Sequence, residues 1–172
     1  SYYNINNMNI NIIAAVDDNN GIGLNNKLPW YEPDDLRNFS KLTKGNNNNA
    51  VVMGLNTWNS LPKRPLPNRD NLILTTTTYI DVYTRTFFNS EKLLNYCLEK
   101  KYDEVWIIGG GKVYEHFIKN NLINHIYLSR INLDYKCDVF FPDIPDNFKL
   151  EETKKINDNV KLEIYLNYKS SS

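Results

Sequence analysis

Apolar residues arrive in short dense runs, over residues 10–16, 50–53, 71–75, 104–108 and 126–132, each bounded by Gly, Asn, Asp or Pro nearby. Runs of that length, rich in Ile and Val, predict buried strands. Between them the spacing changes to three and four. Leu36, Phe39 and Leu42, then Thr57, Trp58 and Leu61, then Leu93, Leu94 and Leu98, and finally residues 113–118 predict amphipathic helices. Ser90 is placed to cap the third of these, and a further strand is expected over residues 82–87. The chain ends in alternation at Val160, Leu162, Ile164 and Leu166, the pattern of an antiparallel strand.

Interleaved strands and helices of this kind predict an α/β fold of one domain, residues 1–172. Its mostly parallel twisted central sheet carries helices on both faces and an antiparallel C-terminal edge strand. Residues 1–9 and 169–172 are expected to be flexible ends. The turn-rich stretch 17–26, with Gly21 and Gly23, is expected to be a mobile loop.

Pro33 in a first turn, acidic residues after it and Lys44-Gly45 at the far end delimit a helix over residues 33–44. In that register Asp35 shares a face with Phe39 and Leu42, whereas Asp34 falls beside Asn38 and Lys41. An ionised carboxylate is seldom buried alone. Asp35 therefore either brackets its own helix start, or meets an internal donor, or faces a cavity that receives a cationic or amide-like ligand.

Composition narrows the classes. At 172 residues and 41% hydrophobic the chain suffices for one packed domain. Twenty Lys and Arg against twenty Asp and Glu create no global field, which disfavours nucleic acid and membrane surfaces as partners. The run at residues 10–16 is far short of a membrane span and has no basic segment before it, so a soluble, unsecreted, cytoplasmic protein is expected, a monomer by default at this size. Cys97 and Cys137 stand far apart without a CxxC, and His116 and His125 are not clustered; neither a metal site nor a disulfide is expected.

Ligands of parallel sheets sit at the carboxyl ends of strands. Two such ends carry glycine. Gly109-Gly110-Gly111 joins a strand to a helix, where bare amides and a helix N-terminus suit an anion, and Gly54 follows the strand ending at Met53. The alternative is a tight strand-to-helix turn that needs no ligand. Tyr114 stands where a dinucleotide GxGxxG motif needs glycine, so this is not that motif. Two half-sites suggest one long phosphorylated cofactor.

From Ile10 onward the chain resembles dihydrofolate reductase through an ordered series of segments. They are Ile13-Ala14-Ala15, Gly21-Ile22-Gly23 before Leu28-Pro29-Trp30, Asp35-Leu36 with Phe39, and Met53-Gly54 with Thr57-Trp58. Arg64-Pro65-Leu66-Pro67 before Arg69, Ile108-Gly109-Gly110-Gly111 with Val113-Tyr114, and Asp138 before Phe141-Pro142 continue it. The resemblance implies reduction of 7,8-dihydrofolate by hydride transfer from NADPH, in support of one-carbon metabolism and thymidylate synthesis. It implies that Asp35 pairs with the pterin N3 and 2-amino edge and promotes protonation of N5, with a pKa raised by burial. Trp30 and Leu28 close over the site, although Trp30 also reads as a buried loop anchor. Tyr114 lies near the nicotinamide.

Further site residues follow from the same resemblance. Ile13, Ala15, Leu36, Phe39, Ser60, Leu61, Leu66 and Ile108 line the pterin and benzoyl pocket, and Ser129 helps hold the pterin amino group. Arg69, otherwise a surface arginine, takes the glutamate carboxylate through its planar fork. The cofactor falls to Ala15, Ile22, Gly23, Gly54, Leu55, Asn56, Thr57, Leu74, Thr75, Thr76, Ile108, Gly109, Gly110, Gly111, Lys112, Val113 and Tyr114, with a cis peptide at Gly109-Gly110.

Two places in the chain depart from the family pattern. Leu55 and Asn56 follow Met53-Gly54 where a basic residue is usual, which removes a cation expected near the cofactor's 2'-phosphate and leaves Lys112, Thr75 and Thr76 as its partners. Val139 stands where Thr usually follows the Asp, which alters the loop contact of Asp138. The reductase of riboflavin biosynthesis shares the fold but does not require Trp30, Asp35 and Arg69 in this order. A non-enzymatic binding module predicts loss of Asp35 or of the glycine turn, and both are present.

Overall fold

The computed structural model describes residues 8–25, 27–77 and 84–169. Its strands in chain order are β1 (Ile10–Val16), β2 (Gly21–Gly23), β3 (Asn49–Met53), β4 (Asp70–Leu74), β5 (Arg85–Phe87), β6 (Glu104–Gly109), β7 (His125–Ile131), β8 (Val139–Phe140), β9 (Phe148–Asn157) and β10 (Val160–Asn167). The helices are α1 (Pro33–Lys44), α2 (Leu55–Ser60), α3 (Ser90–Lys100) and α4 (Gly111–Lys119). One eight-stranded sheet runs in the order β5-β4-β3-β6-β1-β7-β10-β9, and β2 pairs with β8 outside it. The six strands from β5 to β7 are mutually parallel, whereas β10 and β9 join antiparallel.

The period of two decides what each face buries. Ile10, Ile12, Ala14 and Val16 of β1 point to one face with Ala50, Val52, Leu72, Val105 and Ile107, where Leu93, Leu94 and Cys97 of α3 and Phe117 and Ile118 of α4 cover them. Ile13, Val51, Met53, Ile73 and Trp106 point to the other, covered by Phe39 and Leu42 of α1 and Trp58 of α2. Helices therefore lie on both faces, and continuous apolar runs form the strands because neither face meets water.

Most expected elements are present, with local differences. The stretch read as a mobile loop contains β2, whose Gly21 and Gly23 pair with Phe140 and Val139. The helix cap is Asn89, whose Oδ1 accepts from Lys92 N at 2.9 Å, so Ser90 is the first residue of α3 and not its cap. The antiparallel edge is two strands deep: β10 is the alternating segment, and β9, whose side chains are almost all exposed and so leave little apolar pattern, lies outermost. Of the strand expected over 82–87, Arg85 to Phe87 is strand and residues 82 and 83 lie outside the described residues. At the expected flexible ends, residues 1–7 and 170–172 lie outside them too, while Met8 is buried in the core, Asn9 O accepts from Val105 N at 2.8 Å and Lys169 N donates to Asn167 Oδ1. Among the described residues no helix is long and apolar enough to cross a membrane, and no cluster of metal-ligating side chains occurs.

Candidate active site

Asp35 lies in the first turn of α1, where Pro33 supplies a preset φ and costs no hydrogen bond. Across the sheet face, Ser129 of β7 donates its hydroxyl to Asp35 Oδ1 at 2.5 Å. Burial is the larger influence and pushes the Asp35 carboxyl above its ordinary range; the Ser129 bond pulls the other way and the nearby Glu32 charge pushes up again. Asp35 thus has an internal donor and, among the described residues, no ion-pair partner, and it does not cap its own helix. One hydroxyl satisfies little of the four-site acceptor capacity of a carboxylate.

Two turns further along the same helix face stands Thr43. It is fully buried, donates to Phe39 O at 2.8 Å and accepts from Arg69 Nη1 at 2.7 Å. Arg69 Nε donates to Pro67 O at 2.8 Å, and Asn71 bonds the backbone of Leu66 and Arg69, so the proline-rich loop is tied down around the guanidinium. Only 9% of Arg69 is exposed, which excludes the surface-arginine alternative. Among the described residues no carboxylate forms an ion pair with it. Burial pulls its pKa down, the mark of a cation short of compensation.

The glycine turn lies at the carboxyl end of β6. Gly109-Gly110 is a cis peptide, Gly109 has φ +129°, and Gly54 N donates to Gly109 O at 2.8 Å, joining the β3 and β6 ends. A Cβ on Gly109 would sit 3.3 Å from the Tyr114 hydroxyl and 3.5 Å from Thr57 Oγ1. Tyr114 is buried, its hydroxyl donating to Ile13 O at 2.9 Å, and burial pushes its phenol up. Ile22 and Val139 both lie 3.6 Å from a Cβ built on Gly111, so the small β2–β8 sheet covers the start of α4.

Comparison with known proteins agrees with this geometry. A sequence model of dihydrofolate reductase matches residues 9–170. Dihydrofolate reductase of Drosophila melanogaster is 36% identical over 152 residues, covering 83% of this chain and 84% of its own, and that of Buchnera aphidicola is 35% identical over 137 residues, covering 79% and 80%. The chain also resembles part of the bifunctional dihydrofolate reductase-thymidylate synthase of Paramecium tetraurelia, at 29% over 87% of this chain and 32% of that protein. The chain belongs to the dihydrofolate reductase family. Its members are NADPH-dependent oxidoreductases of folate and one-carbon metabolism.

Within this family fold the expected apolar residues divide between the two sheet faces, except that Leu55 and Ile108, expected at the cofactor, pack on the α1 face with the substrate set. Ile13, Phe39, Leu61, Leu66 and Ile108, expected against the pterin and benzoyl groups, all join the cluster beneath α1. Ile22, Leu74, Val113 and Tyr114, expected at the cofactor, pack with the opposite cluster. Ala15 is half-buried at the end of β1, and Leu36 is 50% exposed on α1. Ser60 is exposed and turns its hydroxyl to its own helix at Thr57 O, while Asn56, Thr76 and Lys112 also lie at the surface. Thr75 Oγ1 accepts from Thr77 N. The half-buried Trp30 packs its ring against Tyr135 at a tilt of 56°, with centroids 5.4 Å apart, and Leu28 nearby is 56% exposed.

Residues absent from the expectations also shape the site. Thr43 continues the face of Asp35 and Phe39 on α1, but a buried threonine carries no chemical flag in the sequence. Asp17 is fully buried, with Oδ1 accepting from Asn19 N at 3.0 Å and Gly21 N at 2.8 Å and Oδ2 from Tyr135 N at 2.9 Å. Asp138 continues this clasp: its N donates to Gly23 O, and its Oδ2 accepts from Asn25 N at 3.2 Å.

Proposed function

We propose that the protein reduces 7,8-dihydrofolate to 5,6,7,8-tetrahydrofolate with NADPH, acting as a monomer on a small-molecule substrate. The observation that carries this reading is the pairing on one helix face of Asp35, short of donors, with Thr43, which holds an arginine short of carboxylates. Eight residues of α1 separate them, about 12 Å at the helical rise. A ligand with a two-donor planar edge at one end and a carboxylate at the other fits that span, and dihydrofolate has both.

In this reading Asp35 accepts the pterin N3 and 2-amino donors, a bidentate pairing suited to a carboxylate. Ser129 holds the Asp35 side chain at its other edge. Burial pushes the Asp35 carboxyl above its ordinary range, which suits it to promote delivery of a proton to N5 in this reading. Phe39, Leu61, Leu66 and Ile13 enclose the ring and benzoyl group, and Arg69 takes the glutamate carboxylate. Trp30 and Leu28 limit water at the pterin.

Gly54, Thr57 and the bare backbone of 109–111 fit the cofactor's pyrophosphate, because each glycine leaves space that a Cβ would fill and α4 begins there. Bound NADPH supplies the hydride from nicotinamide C4 to pterin C6. Tyr114 supports the glycine turn from beneath through Ile13. Lys112 and the hydroxyls of Thr75 and Thr76 serve the 2'-phosphate in place of the missing cation at Leu55. The test is oxidation of NADPH at about 340 nm with dihydrofolate, beside an NADH arm and Asp35→Asn. Dihydrofolate-dependent oxidation that collapses in the variant supports the reading, whereas none from folded protein overturns it.

A further inference from the structure

Two segments that meet at Trp30 have unequal support. One is the chain after β7. Asp18 N donates to Leu133 O at 3.0 Å, Tyr135 N donates to Oδ2 of the fully buried Asp17 at 2.9 Å, and Lys136 N closes a turn on Asp134 Oδ1 at 2.9 Å. Tyr135 is therefore fixed through its backbone to the carboxyl end of β1. The other segment is the stretch between β2 and α1 that carries Trp30. Leu28 and Tyr31 on it are 56% and 77% exposed, so neither side chain anchors it. Trp30 differs from both: it is half-buried, and its ring lies tilted against that of Tyr135, centroids 5.4 Å apart. Aromatic rings attract at that separation when they are not stacked face to face.

We propose that Tyr135 is a positioning residue for Trp30, a ring held by the paired ends of β1 and β7 against which the Trp30 indole is set before any ligand arrives. This deepens the reductase reading above and rests on it only for the consequence in catalysis. In that reading Trp30 limits water at the pterin, and Asp35 stands in the first turn of the helix into which the same stretch of chain runs. An indole set in advance has less side-chain freedom left to lose when the substrate binds. The support runs one way. Asp17 takes the backbone amide of Tyr135 and not its side chain, so the framework stays when the ring is changed, while the Trp30 indole loses the surface it packs on. The other two tryptophans make that indole observable by itself: Trp58 and Trp106 are each 1% exposed, so a quencher in the water reaches Trp30 first.

Acrylamide quenching of tryptophan fluorescence is measured in the ligand-free protein, the accessible component assigned by its loss in Trp30→Phe. Tyr135→Ala is expected to make that component more quenchable while Trp58 and Trp106 stay protected, which also shows that the variant is folded. Tyr135→Phe keeps the ring and is expected to match wild type. Tyr135→Leu, which keeps apolar cover without a ring, is read in place of the alanine variant if that one does not fold. An unchanged accessible component in the ringless variant, or a phenylalanine variant as quenchable as the ringless one, overturns the proposal. With dihydrofolate and NADPH, kcat/KM for dihydrofolate is expected to fall roughly 2- to 12-fold in the ringless variant, the range that the usual worth of an aromatic pair spans. Tyr135→Phe is expected to restore it, and NADPH affinity to stay unchanged throughout. Loss of NADPH affinity in the same proportion also overturns the proposal, since the ring would then be holding the whole clasp and not Trp30. Failure of wild-type protein to oxidise NADPH sinks the reductase reading alone, because the quenching still reads Tyr135 and Trp30.

Discussion

Two aspartates, Asp17 and Asp35, occupy ends of the same sheet region and have opposite electrostatic fates. Burial pushes both carboxyls up. In Asp17 that push is outweighed by backbone amides of Tyr135, Gly21 and Asn19, with the Cys137 thiol adding to them, and its pKa ends below the ordinary value. Asp35 has one hydroxyl against its burial and the Glu32 charge, and its pKa ends above. Burial does not separate a structural carboxylate from a chemical one; the donor count does. Asp17 is saturated by the clasp it builds, while Asp35 retains lone pairs with no donor among the described residues and a carboxyl pushed above its ordinary range, as the reductase reading requires.

The sharpest way to break the contrast is Asp35→Asn. On the reductase reading it lowers the rate of dihydrofolate-dependent NADPH oxidation at neutral pH by about 10²–10⁴-fold, the usual worth of a positioned proton donor. Its melting temperature at that pH is expected to hold or rise. Asp35 has a raised folded pKa, so above the unfolded value it holds a carboxylate that the fold disfavours, and the amide removes that penalty. Lost stability together with lost activity would make Asp35 a structural group like Asp17.

What the sequence made legible follows the same line between chemistry and support. The strands β1, β3, β4, β6 and β7 and their helices announced themselves because burial on both faces forces continuous apolar runs. β9 did not, because Lys149, Glu151 and their neighbours leave only Phe148 buried and little pattern to read. β2 was hidden by glycine: a Cβ at Gly21 would lie 2.4 Å from the Cys137 Cβ, so that residue is there for close approach and not flexibility. At the site, Asp35 was legible as a charge needing a partner, whereas Arg69 was singled out only by the family resemblance and by itself read as a surface arginine. Thr43 was not legible, since a neutral side chain that positions a charge looks like any other threonine until the chain closes.

Thr43→Val tests whether support of this kind matters to the ligand. Valine keeps the volume and removes the acceptor for Arg69 Nη1, leaving a buried donor without its partner. The expected result is a rise in KM for dihydrofolate of roughly 5- to 100-fold, the binding equivalent of about 1–3 kcal/mol for such a donor. A pterin substrate lacking the glutamate should show little change. Equal losses for both substrates would mean that Thr43 acts by packing α1 and not through Arg69.

The smallest effect should come from Asp17→Asn, and it should appear in stability. Asparagine at that position still accepts from Asn19 N and Gly21 N through its oxygen, but presents its own N–H groups to Tyr135 N, a cost of about 1–3 kcal/mol. The depressed folded pKa of Asp17 sets the pH dependence: its stabilising contribution is complete above the unfolded value of 3.8 and is lost as pH falls through the lower folded value. Wild-type protein is therefore expected to lose stability below about pH 4 partly through this group, and the variant to lose less over the same window. Urea melts at pH 7 and pH 3 read both terms. If the gap between wild type and variant is the same at both pH values, Asp17 is not held ionised by its amides, and the distinction between the two aspartates fails on its structural side.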